Sequence, residues 1–156
     1  MLTDLLAFNN DSFYVWQLVT AHFVHYDSKH ALLNISAFVL LLYVFPMPKQ
    51  KIVKAVLLAM MLIDAYLLLA SINSYRGFSG LIYVIPGLAA AECFNKRDYS
   101  ALFLIVLVVF IYIFILSEDK NISYSITWYS LKQAHLIGFM AGLISPKFLY
   151  WDIGNN

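Results

Sequence analysis

Five apolar stretches, separated by short polar segments, constrain the fold of this chain more than any other feature. By number they run about 30–45, 52–72, 78–93, 101–116 and 131–151. Hydrophobic residues make up 62% of the 156 positions and charged residues 12%, whereas an ordinary soluble domain has about 45–50% apolar and about 25% charged residues. We therefore predict an all-α fold, in which residues 1–156 form one polytopic bundle of membrane-spanning helices.

The distribution of basic residues predicts how these stretches are oriented in the membrane. Lysine and arginine follow the first and third stretches and lie near the end of the fifth, at Lys49, Lys51, Lys54, Lys96, Arg97 and Lys147. A basic excess of this kind marks the cytoplasmic side. The C-terminus is then cytoplasmic. Ser79, at the start of the third stretch, and His135, near the start of the fifth, both lie towards the outer face.

A serine and a histidine at one membrane level indicate an activated nucleophile. Polar side chains at membrane depth usually face the protein interior and mark function. An adjacent imidazole can take the proton of a serine hydroxyl and return it to a leaving amine. We predict Ser79 as the nucleophile and His135 as its base, in a dyad. Asp64, in the middle of the second stretch, is also a functional candidate, although a helix–helix hydrogen bond is the favoured interpretation.

Further residues at the same depth are candidates to support this chemistry. A tetrahedral oxyanion needs preorganised donors, and the backbone N–H of Ser79 with the side chains of His30 and Asn34 can supply them. His30 and Asn34 share a helix face because they are four residues apart. Tyr83, one turn after Ser79, is placed to stack on the imidazole of His135 and fix its orientation.

Glycines predict a close approach between the two segments that carry the dyad. His135, Gly138 and Gly142 lie on one side of the fifth stretch, in a small-xxx-small arrangement that allows backbones to approach. Gly77 and Gly80 flank Ser79 on the third stretch. Taken alone, the Gly77–Gly80 segment is also typical of a helix start with packing glycines, and it does not fit the soluble nucleophile elbow because position 81 is Leu.

Several classes of function and site are not supported by the sequence. The net charge of +1 and the lack of a basic stretch with interleaved aromatics give no support for nucleic-acid binding. A single cysteine, Cys93, excludes an intrachain disulfide and a cysteine-rich metal site. The histidines at 22, 25 and 30 could bind a metal, but there is no H-E-x-x-H motif beside them. We therefore expect neither a metal ion nor a cofactor. No signal peptide is visible in residues 1–15.

Taken jointly, these residues resemble the rhomboid intramembrane serine proteases. The likeness extends, in order, over nearly the whole chain. It rests on four segments. The first is Trp16-Gln17, which resembles a Trp-Arg motif of the first loop, and the second is His25 with the run His30–Asn34. The third is Gly77-Phe78-Ser79-Gly80 followed by Tyr83, and the fourth is Ala134–Gly138 continuing to Gly142. The resemblance implies a serine endopeptidase that cuts a transmembrane anchor, with His25 and Trp16 in supporting roles.

Within that family, the short length and the segment Tyr75–Gly80 are similar to the bacterial rhombosortases. The resemblance implies a bacterial inner-membrane protein whose active site faces the periplasm. Its implied partners are the lipid bilayer and a membrane-anchored protein with a helix-destabilised cleavage region, of the Gly-Gly type, near its C-terminus. Residues that weaken a helix are expected near a scissile bond because helical carbonyls are already hydrogen-bonded.

Two departures from the family pattern create further expectations. Gln17 stands where the family has arginine, which puts the structural clamp of the first loop in doubt. The first of the usual six transmembrane helices is also missing, so that five are expected and residues 1–29 correspond to the remainder of the first loop. We expect the missing helix to be encoded upstream in frame. The alternatives to a protease are a rhomboid-like protein that binds membrane-protein clients without cutting them, and a truncated fragment without function.

The polar loop before the fifth stretch is a candidate lid. Residues 117–130 precede the segment that carries His135, and Trp128, Tyr129 and Trp151 are expected as anchors at the membrane interface. If this loop gates access, substitution of Trp128 should change turnover.

Overall fold

The computed structural model describes residues 2–110 and 131–149 and is mostly helical within those ranges. The N-terminal part carries helix α1 (Leu2–Leu6), strand β1 (Phe8–Asn9) and helix α2 (Gln17–Thr20). The longer elements follow in the order α3 (Ser28–Val44), α4 (Lys49–Leu69), β2 (Ser74–Tyr75), α5 (Ser79–Ile82), α6 (Val84–Asn95), α7 (Tyr99–Phe110) and α8 (Lys132–Leu149).

Helix α4 is, within the described ranges, the one helix that is both long and apolar enough to cross a membrane. Its 21 residues correspond to a length of roughly 30 Å, which is the thickness of a bilayer's hydrocarbon core. Helices α3 and α7 are apolar but shorter. The predicted stretches 30–45 and 52–72 therefore correspond to α3 and α4, with each helix beginning two or three residues earlier.

Capping and proline residues explain where α3 and α4 begin and end. The Asp27 side chain accepts a hydrogen bond of 2.8 Å from the backbone N–H of His30, which satisfies one free donor at the start of α3. The helix ends at Val44, just before Pro46, because a residue that precedes proline disfavours the helical conformation. Helix α4 begins directly after Pro48.

The predicted stretch 78–93 is helical in the structure, with one interruption. This segment forms two helices, α5 and α6, which meet at Tyr83. Pro86 explains the break, because it has no backbone N–H to donate to the carbonyl of Ile82 and its ring would clash with that carbonyl. In the first turn of α6 the same proline is tolerated. The break leaves Ser79 on a short helix of its own.

Helix α6 forms the centre of the described bundle. Its residues 84–91 are all buried, and α8 packs against α4, α5 and α6. Helix α4 contributes buried residues at every fourth position, namely Ala55, Ala59, Ile63 and Leu67. In contrast, Asn34 is the buried residue of α3 and Val109 that of α7 within the described part. The helices α3 and α7 are thus the peripheral ones.

A two-stranded sheet joins the N-terminal segment to the segment that precedes Ser79. Strands β1 and β2 pair in antiparallel register, Phe8 opposite Tyr75 and Asn9 opposite Ser74. The backbone N–H of Asn10 adds a hydrogen bond of 2.9 Å to the carbonyl of Asn73. The first loop is therefore bonded to the loop that leads into α5.

Some of the expected features fall outside the described residues. The end of the fourth stretch (111–116), the candidate lid (117–130) with Trp128 and Tyr129, and Trp151 all lie there. The fifth stretch is described as α8 up to position 149.

Candidate active site

The Ser79 and His135 side chains are in hydrogen-bonding contact. The distance between His135 Nε2 and Ser79 Oγ is 2.9 Å. Ser79 is the first residue of α5, and His135 lies in the first turn of α8. Two residues 56 positions apart in the chain thus meet because the start of α8 packs on α5.

Glycines account for this approach because they let α8 lie directly on the backbone of α5 and α6. A Cβ atom at Gly138 would overlap the carbonyl oxygen of Gly80, and one at Gly142 would overlap the carbonyl oxygen of Val84. From the other side, a Cβ at Gly87 would overlap the carbonyl of Phe139. The close helix contact expected from Gly138 and Gly142 is present, and Gly80 and Gly87 form its other side.

The imidazole of His135 lies face to face with the ring of Tyr83. The ring centroids are 4.6 Å apart and the planes differ by 21°. The position of Tyr83 at the break between α5 and α6 points its ring at α8. Asp64 is the acid whose role stayed open in the sequence analysis. It lies against His22, with 3.0 Å between Asp64 Oδ1 and His22 Nε2.

Of the predicted oxyanion donors, Asn34 lines the same cavity as Ser79, and His30 lies near the turn that precedes Ser79. Asn34 is only 8% exposed, and its Nδ2 has no hydrogen-bond partner within the described residues. The ring of His30 lies on the same side of Gly77 as Ser79, because an atom added at Gly77 as Cβ would be 3.6 Å from His30 Cε1 and 3.9 Å from Ser79 Oγ. A buried amide donor without a partner is costly, and so indicates a group that becomes bonded when a ligand is present.

His25 contacts the site through His30 rather than directly. The two imidazole rings meet edge to face, with centroids 5.2 Å apart, and His25 Nδ1 lies 3.2 Å from the carbonyl of Phe23. Burial lowers the pKa of His25 below its usual range, although the hydrogen bond to Phe23 opposes that effect. The described residues contain no group of three or more His, Cys, Asp or Glu that could hold a metal ion.

A cavity of about 420 Å³ leads to the Ser79–His135 pair. Its walls are mainly aliphatic and come largely from α3 and α7, the two peripheral helices. Four polar residues, Asn34, Ser79, Tyr83 and His135, are part of its lining; the remainder is Ala37, Leu40, Leu41, Phe45, Ile82, Pro86, Leu104, Ile105, Val108 and Val109. Ser79 and His135 therefore border a mainly apolar space.

The comparison with known families agrees with this geometry. Residues 12–151 match the family model described as Rhomboid domain. The chain belongs to the rhomboid family. Members of this family are serine intramembrane proteases that act on membrane-protein substrates within the bilayer, so this rhomboid is an integral membrane protein. No curated protein and no solved structure matches the chain.

The first loop of this rhomboid is held by Gln17, although arginine was expected there. The Gln17 side chain is buried; its Oε1 accepts hydrogen bonds from the backbone N–H groups of Tyr14 (3.1 Å) and Asn9 (3.4 Å). Its Nε2 donates to the carbonyl of Leu5 at 3.3 Å. An amide can bond on both sides in this way because it is donor and acceptor at once. Gln17 thus bonds the backbone of the first loop together, which is the clamp that the missing arginine had put in doubt.

Trp16 supports the same loop and does not reach Ser79. Its Nε1 donates to the carbonyl of Leu5 at 3.2 Å, and its ring stacks on Tyr14 with centroids 4.4 Å apart. It is exposed, in keeping with a support at the edge of the fold.

Sequence reasoning missed the groups that fix the turn before Ser79 in this rhomboid. Gly77 has φ of +136°, a conformation that side chains with a Cβ rarely adopt. Its N–H donates to the carbonyl of Ala21 at 2.9 Å, and its carbonyl accepts from the hydroxyl of Tyr75 at 3.0 Å. Phe78 packs between the rings of Phe23 and Phe38. In the sequence, the only signals of these groups are Gly77 itself and Asp64 in the middle of an apolar stretch.

Proposed function

We propose that this rhomboid is a serine endopeptidase that cleaves a transmembrane anchor by means of a Ser79–His135 dyad. The 2.9 Å distance between Ser79 Oγ and His135 Nε2 is the observation that carries the proposal. It is supported by the stacked ring of Tyr83, which holds the imidazole in the plane that this contact requires. The dyad lies in a bundle of five spanning helices.

The proposed reaction begins with attack of Ser79 Oγ on the carbonyl carbon of the scissile peptide. The hydroxyl proton passes to His135 Nε2, and the carbonyl oxygen becomes the oxyanion. When the C–N bond breaks, His135 returns this proton to the leaving amine. A water molecule then attacks the acyl-enzyme by the same route, with His135 as the base, and releases Ser79 and the carboxylic acid product.

The oxyanion is stabilised by Asn34, His30 and the backbone N–H of Ser79. The buried Nδ2 of Asn34, which has no partner among residues 2–110 and 131–149, supports its role, because a donor that is already in place and unbonded needs no rearrangement when charge develops. The first backbone N–H groups of a helix have no partner within the helix, so the N–H of Ser79 can also donate.

The proposed substrate is a membrane protein whose anchor is locally unwound, as at a Gly-Gly pair near its C-terminus. The aliphatic cavity between α3 and α7 supports lateral entry from lipid, and a peptide must leave its helix to offer a carbonyl to Ser79. Glycine weakens a helix by about 1 kcal/mol per residue relative to alanine. We assign the protein to rhombosortase-type processing in the bacterial inner membrane, with the dyad towards the periplasm and the C-terminus in the cytoplasm.

Labelling with a fluorophosphonate tests the dyad. We expect the purified protein to react covalently at Ser79, and both Ser79→Ala and His135→Ala to abolish the reaction, because the first removes the nucleophile and the second its base. Ser36→Ala, which alters an exposed serine of α3, should label like the wild type. A folded wild-type protein that does not label would contradict the protease and favour the client-binding alternative.

Cleavage of a reporter protein tests the substrate. We expect a reporter with a C-terminal anchor that contains Gly-Gly to be cut in vesicles, and the matched Leu-Leu reporter to be cut much more slowly. Equal cleavage of the two reporters, with a labelling-competent enzyme, would contradict the Gly-Gly preference and leave the dyad standing.

A further inference from the structure

A buried polar network connects the middle of α4 to the turn that carries Ser79. It consists of Asp64 on α4, His22 after α2 and Tyr75 on β2. His22 is fully buried, with its Nε2 at 3.0 Å from Asp64 Oδ1 and its Nδ1 at 3.5 Å from the hydroxyl of Tyr75. This polar network joins three segments that are distant in sequence.

The last contact of the polar network ends on the backbone next to the nucleophile. The Tyr75 hydroxyl donates to the carbonyl of Gly77 at 3.0 Å. Burial, reinforced by the charge of Asp64, raises the pKa of Tyr75 above its usual range, so the hydroxyl keeps its proton for this bond. The same hydroxyl would lie 3.2 Å from a Cβ atom at Gly80. Tyr75 thus contacts the chain on both sides of Ser79.

The turn needs such a restraint because its conformation is unfavourable for most residues. Gly77 has φ of +136°, and glycine has the largest conformational freedom to lose on folding. The N–H of Gly77 is bonded to the carbonyl of Ala21. The bond from Tyr75 fixes the carbonyl, which is the other backbone polar group of Gly77. The first restraint comes from Ala21 itself. The second comes from Tyr75, which contacts His22.

Packing alone does not account for the polar network, since an acid in a spanning helix is costly and usually has a function. Helix α4 is otherwise buried on its inner face by alanine, isoleucine and leucine. An apolar residue at position 64 would complete that face without any loss of charge solvation. What Asp64 supplies instead is an oriented imidazole. Because Tyr75 gives its one hydroxyl proton to Gly77, Nδ1 of His22 has to donate to the Tyr75 oxygen, and the hydrogen bond between Nε2 and Asp64 holds the ring in that orientation.

We propose that Asp64 and His22 act through Tyr75 as positioning residues that hold the Gly77–Gly80 backbone in the geometry in which Ser79 reacts. This inference rests on the proposed function, because it assigns a role relative to the Ser79 nucleophile. None of the three residues touches the reacting atoms. They therefore affect the rate at which Ser79 reacts, and not the binding of a fluorophosphonate that labels it.

The test measures fluorophosphonate labelling of Ser79 in Tyr75→Phe, Asp64→Asn and the double variant. We expect the maximal labelling rate to fall about tenfold in Tyr75→Phe, which is the loss of one backbone hydrogen bond, while the reagent concentration at half-maximal rate stays constant. The double variant should be no slower than Tyr75→Phe alone, because both changes interrupt one path. Tyr66→Phe, on α4 outside the polar network, is the matched control.

Amide hydrogen exchange over residues 75–82 provides a readout that does not depend on activity. We expect faster exchange in Tyr75→Phe and Asp64→Asn than in Tyr66→Phe at equal thermal stability. If the wild type labels, and Tyr75→Phe labels at the same rate with unchanged exchange, the positioning role is refuted. Additive losses in the double variant would also overturn the inference. If the wild type does not label but exchange still rises in the variants, the proposed protease fails while the restraint on the turn stands.

Discussion

Asn34 shows at the scale of one residue how a site can oppose stability. It is the buried residue of an otherwise exposed helix within the described part, and its Nδ2 lacks a partner there. An unsatisfied buried donor costs about 1–3 kcal/mol. A residue that only served packing would be replaced favourably by an apolar one of similar size. Its presence is explained if the amide is bonded only when the oxyanion forms.

We therefore expect Asn34→Leu to lower the labelling rate of Ser79 while leaving the thermal midpoint unchanged or higher. Loss of one oxyanion donor typically reduces catalysis by about 10²- to 10³-fold, and removal of an unsatisfied amide stabilises the fold. Labelling kinetics and thermal unfolding in detergent measure the two effects. Ser36→Leu, at an exposed position of the same helix, is the control. A wild-type labelling rate in Asn34→Leu would exclude this donor role.

At the scale of elements, the contact of α8 with α5 and α6 determines how Ser79 and His135 meet. Gly138 and Gly142 each lie against a carbonyl oxygen of the facing segment. Carbonyl oxygens are part of the backbone and cannot rotate away as a side chain can. A methyl group at either position must displace α8 as a whole, and His135 moves with the helix.

We expect Gly138→Ala to destabilise the protein and to slow labelling of Ser79 more than Gly142→Ala does, because Gly138 is one turn from His135. Overpacking of a tight contact costs about 1–3 kcal/mol. Thermal unfolding and labelling rates measure both effects. Met140→Ala, at an exposed position between the two glycines on α8, should leave labelling unchanged. Equal labelling by the wild type and Gly138→Ala would show that the dyad tolerates a displaced α8.

At the scale of the whole molecule, the first loop is a structural support for the turn that precedes Ser79. It is bonded to the turn before Ser79 through the β1–β2 pairing and the Ala21–Gly77 hydrogen bond. Gln17 holds this loop together through three hydrogen bonds to backbone groups. Disturbance of Gln17 should therefore affect both stability and the site, although its side chain lies away from Ser79.

We expect Gln17→Met to lower the thermal midpoint by several degrees. The change preserves the volume but removes the acceptor of the Asn9 and Tyr14 N–H groups, at about 1–3 kcal/mol for each buried one, while the carbonyl of Leu5 keeps its bond from Trp16. Gln133→Met, at an exposed position of α8, is the matched control and should have no such effect. A midpoint equal to that of the control would mean that water replaces the amide and that Gln17 is not a clamp.

The apolar stretches and the glycine spacing made the helices and the Ser79–His135 contact predictable. Periodicity is a local property of the sequence, so α3 and α4 could be placed within a few residues. The break at Tyr83 could have been predicted from Pro86, but the two-residue strands could not, because they are too short to show alternation. His22 as the partner of Asp64 was also beyond prediction, since a contact between residues 42 positions apart leaves no local pattern.

The backbone contact between α8 and the α5–α6 segment has a consequence for the lipid environment. A helix that is longer or shorter than the surrounding bilayer responds by tilting, and thin and thick membranes therefore rearrange loosely packed bundles. Where two backbones touch through glycine, tilt of one helix carries the other with it. We therefore expect the Ser79–His135 separation to be insensitive to acyl-chain length, and the spacing of α3 and α7, which bury little, to follow the thickness of the membrane.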